Sequence, residues 1–375
     1  MANKNLTNAK RVKNDEFYTQ YSDIEKEITA YLEYDPDVFR GKVVYCNCDD
    51  PFESNFFRYF VLNFNKLGLK QLITTSYKPS PVANTQLQLF GDNKTLANTK
   101  GRPKITANKF IINQVGDYNS DGEYNLEDIA QQLQENKHNE WAPLDGDGDF
   151  RSPECIELLK QSDIVVTNPP FSLFREYVKQ LFDYNKKFLI IGNMNAITYK
   201  EIFPKIKENK MWLGATGNGV DMVFAVPNGM EIKESYRQKA ARLGYIGNYT
   251  RLGNSCWFTN LDHGRRHQSL PLMTMEENRR FNKKVQKNPH CYQKYDNYDA
   301  IEVPYTDAIP SDYDGVMGVP ISFLDKYNPD QFEIIGMAED NGKGFSGGIW
   351  DGKNPHCVVN GQNKFKRIFI KHKKK

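Results

Sequence analysis

The strongest chemical signal in the sequence is Asn168-Pro169-Pro170-Phe171, which directly follows the apolar run 163–167. Two consecutive prolines fix φ and remove two amide donors, so the chain leaves the strand in a stiff turn that offers carbonyl oxygens. The Asn168 amide adds another acceptor. Together these oxygens can hold both N–H bonds of one amino group on an aromatic ring, so that its lone pair attacks a sulfonium methyl, and Phe171 provides a stacking face. The alternative is a turn that only ends the strand.

The flanking elements predict an α/β fold. Residues 42–47, 71–77, 163–167 and 188–192 are predicted strands, and apolar residues recur at helical spacing in 54–67 and 174–181. Ser152-Pro153-Glu154 is typical of a helix start, and Ser172 is the predicted N-cap of the helix after the diproline. Residues 211–214, 221–226 and 255–260 are predicted as further strands. Such alternation indicates a mostly parallel, Rossmann-like sheet with helices on both faces, whose ligands lie beyond the carboxyl ends of the strands.

Length and composition favour two domains. The 375 residues exceed one ordinary domain, and we expect a catalytic domain over 1–265, with a polar insertion at about 78–145, and a smaller region over 266–375. Fifty basic residues against 47 acidic ones give a net charge of +3, which identifies no partner. The N-terminus lacks the apolar core of a signal peptide and the six cysteines are scattered, so we expect a cytoplasmic protein with reduced thiols.

Around the Asn-Pro-Pro-Phe motif the chain resembles the N6-adenine and N4-cytosine DNA methyltransferases that carry DPPY or NPPF, and within them the EcoRI-type adenine-specific branch. The likeness covers about the first 230 residues, with a less diagnostic stretch at 318–336. It rests on these segments: Asp15–Gln20 (DEFYTQ), Val43–Pro51 (VVYCNCDDP), Gly148–Ser152 (GDFRS) and Asp163–Tyr177 (DIVVTNPPFSLFREY).

The resemblance implies roles for individual residues. It makes Asn168, Pro169, Pro170 and Phe171 the catalytic tetrapeptide, and S-adenosyl-L-methionine the cofactor. The implied cofactor-binding residues are Phe17, Tyr18 and Thr19 at the methionine portion, Asp49 and Asp50 in the cofactor loop, and Asp149 and Phe150 at the adenine ring.

Two departures from the family pattern concern the cofactor site. The segment Asp50–Phe56 contains no glycine, where most of these enzymes have a glycine-rich loop that lets the backbone approach the ligand closely. The second predicted strand ends in Thr75-Ser76-Tyr77, where an acidic residue usually binds the ribose. The ribose contact is therefore left unassigned.

A calcium-like loop lies inside the polar insertion. Asp117, Asn119, Asp121 and Asp128 occupy the first, third, fifth and twelfth positions of a loop with Gly122 at the sixth, which is the spacing of calcium loops. Asp replaces the longer Glu at the twelfth position, which weakens coordination. The alternatives are a structural calcium ion and an acidic turn that caps a surface helix.

Double-stranded DNA is the implied partner, at a short palindromic site such as GAATTC, with a cognate restriction endonuclease acting on the same site. A strand-end pocket cannot reach a paired adenine, so the target base must be flipped out. We expect the region 266–375 to be the DNA target-recognition region, which holds the duplex and reads its sequence. Candidate phosphate-binding residues in the basic stretches are Arg265, Arg266, Arg279, Arg280, Lys371 and Lys373, although a solvated basic face explains each equally well.

The competing functions are methylation of another planar amine, guanine N2 in RNA or a glutamine amide in a protein, and a catalytically silent DNA-binding protein.

Overall fold

The computed structural model describes residues 17–48, 54–77, 107–117, 128, 138–216, 222–226, 232–288, 290–339 and 344–373. Its strands are β1 (Tyr18–Thr19), β2 (Val43–Cys46), β3 (Gln71–Thr75), β4 (Asn108–Ile112), β5 (Glu140–Pro143), β6 (Ile164–Thr167), β7 (Lys187–Asn193), β8 (Trp212–Leu213), β9 (Met222–Ala225), β10 (Tyr249–Leu252), β11 (Ser255–Thr259), β12 (Ile301–Glu302), β13 (Met317–Pro320), β14 (Phe332–Met337), β15 (Val358–Val359), β16 (Gln362–Asn363) and β17 (Arg367–His372). Its α-helices are α1 (Tyr21–Tyr34), α2 (Asn55–Leu62), α3 (Phe64–Leu67), α4 (Pro153–Gln161), α5 (Phe174–Asp183), α6 (Phe203–Lys207), α7 (Glu234–Ala241), α8 (Met275–Phe281) and α9 (Lys283–Gln286).

The chain forms two compact units. The first contains Met1–Ala196 and Gly214–Leu261, and the second contains Ile197–Leu213 and Asp262–Lys375. Residues 197–213, which the sequence analysis placed in the catalytic domain, therefore pack with the second unit.

The main sheet of the first unit confirms the predicted α/β fold, but the sheet is mixed and not mostly parallel as predicted. Its strand order is β5-β4-β3-β2-β6-β7-β11. The four central strands are parallel, while β4, β5 and β11 are antiparallel to their neighbours. In the segment predicted as a polar insertion, β4 and β5 thus extend the sheet. Parallel central strands bring the ends of β2, β3, β6 and β7 to one edge.

Helices pack on both faces of this sheet. On one face, Ile28 of α1 and Phe60 of α2 belong to the same buried cluster as Val44 and Val166 of the strands. On the other face α5 packs through aromatic pairs, with Phe174 and Phe258 at 5.0 Å between ring centroids. The alternation of strand side chains between the two faces explains why these strands are apolar throughout.

The helix starts around the diproline differ in part from the prediction. Ser152 caps α4 as expected, because its Oγ accepts a hydrogen bond from Cys155 N at 3.3 Å and Pro153 follows at the first position. The prediction that Ser172 caps the next helix is wrong. A 3₁₀ turn, Phe171–Leu173, follows the prolines first, and α5 begins at Phe174 without a side-chain cap. The fixed φ of Pro170 favours this tight turn.

A small antiparallel sheet, β1-β9-β10, completes the described part of the first unit. Tyr18 lies opposite Ala225, which lies opposite Tyr249, and Thr19 lies opposite Phe224. The short N-terminal strand is thus held along an edge of β9.

The second unit contains a four-stranded sheet, β12-β13-β17-β14, and a hairpin of β15 and β16. Its buried cluster is aromatic and includes Tyr295, Tyr298 and Phe369. Arg367 and Glu302 form a buried ion pair at 2.6 Å, and Glu302 also accepts a hydrogen bond from the Tyr295 hydroxyl. Among the described residues, no helix is long and apolar enough to cross a membrane.

Candidate active site

The diproline corner follows β6 at the carboxyl edge of the sheet. Asn168 Nδ2 donates a hydrogen bond of 2.7 Å to the Phe17 carbonyl, which is 151 positions earlier in the chain. Asn168 is 8% exposed. Because the amide nitrogen donates to the Phe17 carbonyl, the orientation of the amide is fixed, with Oδ1 as its acceptor atom.

The rest of the tetrapeptide forms the turn into α5. Pro169 is buried and Pro170 is half-buried. The Pro170 carbonyl accepts from Leu173 N at 3.0 Å, which uses this oxygen in the 3₁₀ turn. Phe171 is half-buried, and its ring lies 6.4 Å from the Phe17 ring in a tilted arrangement.

The N-terminal Phe17-Tyr18-Thr19 element lies between the diproline corner and the start of α2. Phe17 packs on Phe224 of β9 at 6.0 Å, in addition to its contact with Asn168. Asn55, at the first turn of α2, donates from Nδ2 to the Thr19 carbonyl at 2.7 Å. The structure therefore brings together two segments that the sequence predicted as parts of one site. Asp49 and Asp50 lie outside the described residues.

Asn47, at the end of β2, joins three elements of the site, and sequence reasoning missed it. The Thr167 hydroxyl at the end of β6 donates to the Asn47 carbonyl, and the Tyr177 hydroxyl of α5 donates to Asn47 Oδ1. These bonds fix the ends of the two central strands against each other. A polar residue directly after a buried strand was the only available signal.

Asp149 and Phe150 lie in the turn before α4. Arg151 binds the Asp149 carboxylate through Nε and Nη2 at 2.8 and 2.6 Å. Burial opposes ionisation, but the hydrogen bonds and charge of Arg151 outweigh it and hold the pKa of Asp149 below its ordinary value. Phe150 is 3% exposed and packs edge to face on Tyr177 at 5.0 Å. Asp149 is thus a carboxylate at pH 7, and the Phe150 ring is buried against α5.

A buried carboxylate, also missed from the sequence, fixes the segment before β9. Glu27 of α1 accepts from Ala215 N and Thr216 N, each at 2.7 Å, and from the Thr216 hydroxyl. Burial raises the pKa of Glu27 to about 7, against the opposite effect of these hydrogen bonds. No signal pointed to Glu27, because its partners lie 188 and 189 positions away.

The residues at this edge fit a polar cofactor. Thr19 is 3% exposed, and within the part of the chain that the structure describes its hydroxyl has no hydrogen-bond partner. A buried hydroxyl without a partner is costly unless a ligand supplies one. Aromatic side chains, the carboxylate of Asp149 and such a hydroxyl suit a ligand with a ring, an amine and several hydroxyls.

The basic residues predicted to contact phosphates differ in placement within the second unit. Arg265 binds Asp325 at 2.5 Å. Arg266 is 7% exposed, stacks over Trp212 at 3.5 Å and binds Asp262 at 3.1 Å. The structure therefore gives both arginines partners within the unit. The remaining candidates are exposed or half-buried: Arg279, Arg280, Lys371 and Lys373.

The calcium-like loop falls mostly outside the described residues. Asn119 and Asp121 are among those not described, while Asp117 and Asp128 are described. Across the described ranges, no group of three or more His, Cys, Asp or Glu side chains is arranged to hold a metal ion. Calcium binding thus gains no support and stays a sequence-based prediction.

Comparison with known proteins identifies the family of the chain. The sequence profile of the family described as "Adenine-specific methyltransferase EcoRI" matches residues 5–373. The chain is 46% identical to the type II methyltransferase M.EcoRI of Escherichia coli, over 99% of this chain and 97% of that protein. It is 36% identical to the type II methyltransferase M.MpnI of Mycoplasma pneumoniae, over 87% and 83% respectively, and 36% identical to M.MgeORF184P of Mycoplasma genitalium, over 87% and 84%. No solved structure matches the chain. The resemblance seen in the motifs is therefore confirmed over nearly the whole length, and the chain belongs to the EcoRI-type family of adenine-specific DNA methyltransferases.

Proposed function

We propose that the Asn168–Phe171 corner is where this DNA methyltransferase binds a flipped-out adenine and methylates its N6 amine. The observation that carries this proposal is the hydrogen bond from Asn168 Nδ2 to the Phe17 carbonyl. It fixes the amide with its oxygen as the acceptor, and it attaches the corner to the element that the family resemblance assigns to the cofactor.

Two oxygens of the corner bind the amine. Asn168 Oδ1 accepts one N–H of N6, and the Pro169 carbonyl accepts the other, since the Pro170 carbonyl is used in the turn. Accepting both protons shifts the nitrogen toward tetrahedral geometry and localises its lone pair. Phe171 stacks on the adenine ring. This stacking requires little movement of the Phe171 side chain, because its ring already packs against the Phe17 ring.

The cofactor residues of this proposal are those that the family resemblance implies. When bound, S-adenosyl-L-methionine would supply a methyl group on a positively charged sulfur. The sulfur would keep the bonding electron pair, and N6 would give up a proton to water. Phe17, Tyr18 and Thr19 position the methionine portion, with Asp49 and Asp50 at its charged groups, while Asp149 and Phe150 border the adenine. No side chain is required as a metal ligand or nucleophile, because positioning and electrostatics provide the acceleration.

The competing functions are less well supported. Membership of an adenine-specific family disfavours guanine in RNA and glutamine in protein as substrates. A silent DNA-binding protein would need no fixed acceptor at the corner, yet Asn168 is held there.

The second unit is proposed to hold the duplex. Of the predicted cations we assign phosphate contacts to the four that are exposed or half-buried, Arg279, Arg280, Lys371 and Lys373, because Arg265 and Arg266 are bound within the unit.

A cognate restriction endonuclease remains part of the proposal, and digestion of modified DNA by such an enzyme is its direct test.

The deciding experiment is methyl transfer to duplex DNA by Asn168 variants. Purified wild-type protein should transfer labelled methyl to adenine, and Asn168→Ala should lower kcat by about 100-fold or more, since the variant lacks an acceptor needed for the reorganised amine. Cofactor affinity, measured by calorimetry, should fall far less than kcat, because the variant loses only one anchor of the N-terminal element, the bond to the Phe17 carbonyl. Asn65→Ala is the matched control, because this exposed amide donates to the Val115 carbonyl at 3.4 Å and is not part of the proposed site, so the variant should keep wild-type turnover.

A second variant separates chemistry from structure. Asn168→Asp keeps an acceptor but loses the donor to Phe17. If acceptance from the amine matters, its turnover should lie between those of wild type and Asn168→Ala. Turnover of Asn168→Ala equal to wild type, or of Asn168→Asp below Asn168→Ala, would contradict the assigned role.

A further inference from the structure

Residues 232–248, which precede β10 in the first unit, are largely exposed. We call residues 232–248, which comprise α7 and the turn after it, the basic arm. Ala240 is the buried residue of α7, and every other α7 side chain except half-buried Tyr236 is exposed. In the turn, Leu243 is 48% and Ile246 is 86% exposed. A helix that buries so little apolar surface gains little from packing within its own unit.

The arm is positively charged. Among its side chains four are cationic and Glu234 is the acidic one; the cations are Lys233, Arg237, Lys239 and Arg242. Glu234 lies 3.9 Å from Arg237, too far to bind it closely. Such a surface is complementary to a polyanion.

The turn presents Ile246 at its tip. Gly244 and Gly247, with φ of 91° and 115°, lie on either side of Tyr245 and Ile246, in backbone conformations that favour glycine. The Tyr245 ring packs against Tyr249 of β10 at 5.4 Å, which anchors one residue of the pair and leaves the other exposed. The apolar tip is therefore a formed structure.

The arm is connected to the catalytic corner through the small sheet. It leads into β10, which pairs with β9, and β9 pairs with β1. Phe224 of β9 contacts the Phe17 ring, and the Phe17 carbonyl binds Asn168. Two strand spacings of about 5 Å each separate β10 from β1, so the arm begins on the same small sheet as the site.

We propose that the basic arm binds the target duplex beside the flipped adenine, with its cations on phosphates and Ile246 against the bases at the position that the adenine leaves. This inference rests on the proposed function and adds a surface to it. Cations supply sequence-independent affinity that falls with salt. An apolar side chain inserted at an unstacked step offsets part of the cost of extruding a base.

The test measures DNA affinity by fluorescence anisotropy. The first probe is a DNA duplex that contains the methylation site. This site is located beforehand by sequencing the adenines that the wild-type protein methylates. The second is the same duplex with an abasic position opposite that adenine, so that the adenine is unpaired from the start. Ile246→Ala should weaken binding to the first probe by about tenfold and to the second by no more than about twofold, because little extrusion cost remains. An Ile246→Ala variant that binds both probes like wild type, or loses affinity for both equally, would overturn the role of Ile246.

The cations are tested by salt dependence on the first probe. Arg237→Ala and Lys239→Ala should each lower the slope of log K against log salt by about 1. Lys66→Ala, an exposed lysine of α3 outside the arm, is the matched control and should leave the slope unchanged. Equal slopes for all three variants would overturn the phosphate contacts.

The two proposals can fail separately. If wild-type protein methylates no adenine, the proposed function is wrong. If it methylates adenine while the arm variants bind DNA as wild type does, only the role of the arm is wrong. Melting temperatures of the variants should match that of wild type, since Ile246, Arg237 and Lys239 are exposed.

Discussion

The two atoms of the Asn168 amide have different tasks. The nitrogen binds the Phe17 carbonyl, and the oxygen is proposed to bind the substrate amine. A residue with one donor end and one acceptor end satisfies both needs, whereas leucine of similar size satisfies neither. Position 168 is therefore constrained by structure and by chemistry at the same time.

Phe171 provides the prediction at the scale of single residues. Phe171→Ala should lower kcat/KM for DNA by roughly 10- to 100-fold, because stacking of a base on an aromatic ring contributes about 1–3 kcal/mol. Phe171→Tyr keeps the ring and should stay within a few-fold of wild type. Steady-state kinetics on duplex DNA that contains the methylation site measures this kcat/KM. Equal values for both variants would argue against stacking.

Single residues of the site differ in how well the sequence reveals them. Asn168 and Phe171 were predictable because the tetrapeptide is contiguous and follows an apolar strand. Asn47, Asn55 and Glu27 were not, since their partners lie 36 to 189 positions away and become neighbours only in the folded chain. Arg265 and Arg266 show the converse, because a basic pair in sequence cannot reveal that Asp325 and Trp212 are its partners.

At the scale of the elements, β1 is a two-residue strand at the edge of its sheet. Two residues pair with β9 on one side, and Asn55 and Asn168 each bind a carbonyl of the same element. Apolar runs predicted the central strands well. A two-residue strand has no periodicity to detect, and β4 and β5 were hidden in a polar stretch, so the sequence could not reveal these edges of the sheets.

Asn55 provides the prediction at this scale. Asn55→Ala removes the donor to the Thr19 carbonyl and should lower the free energy of unfolding by about 0.5–1.5 kcal/mol. It should also weaken cofactor binding measured by calorimetry, because Thr19 loses an anchor, while Asn65→Ala changes neither quantity. Unchanged cofactor affinity in Asn55→Ala would show that α2 does not position the N-terminal element.

At the scale of the whole molecule, the chain passes between two units three times, after residues 196, 213 and 261. The sequence indicated a change of character near residue 266. It could not reveal that 197–213 packs with the second unit, because an apolar run shows that a segment is buried but not which partner buries it. The second unit also holds a titratable group that links its stability to pH.

His263 provides the corresponding prediction. It is 2% exposed and its Nε2 bonds to the Leu213 carbonyl at 3.0 Å. Burial, with the charges of Arg266 and Arg265, lowers the pKa of His263 to about 4, against the effects of Leu213 and Asp262. A group with a lowered pKa in the folded state stabilises that state above about pH 6.5, and this stabilisation is lost as pH falls through about 4.

The measurement compares denaturant unfolding of wild type and His263→Gln at several pH values. Glutamine keeps a donor for Leu213 but does not titrate. Between pH 6.5 and 4 the wild type should lose stability relative to the variant by at most about 1.4 kcal/mol per pH unit. Parallel pH profiles would mean that His263 does not contribute to acid unfolding.

The bond between Asn168 and the Phe17 carbonyl limits how the enzyme can be divided. A fragment that begins at α1 retains every strand of the main sheet and the whole tetrapeptide, yet it lacks the oxygen that orients the Asn168 amide. A two-fragment version of the enzyme, for DNA methylation under experimental control, would therefore need the N-terminal peptide that contains Phe17 to be added in trans. Addition of that peptide would turn the activity on.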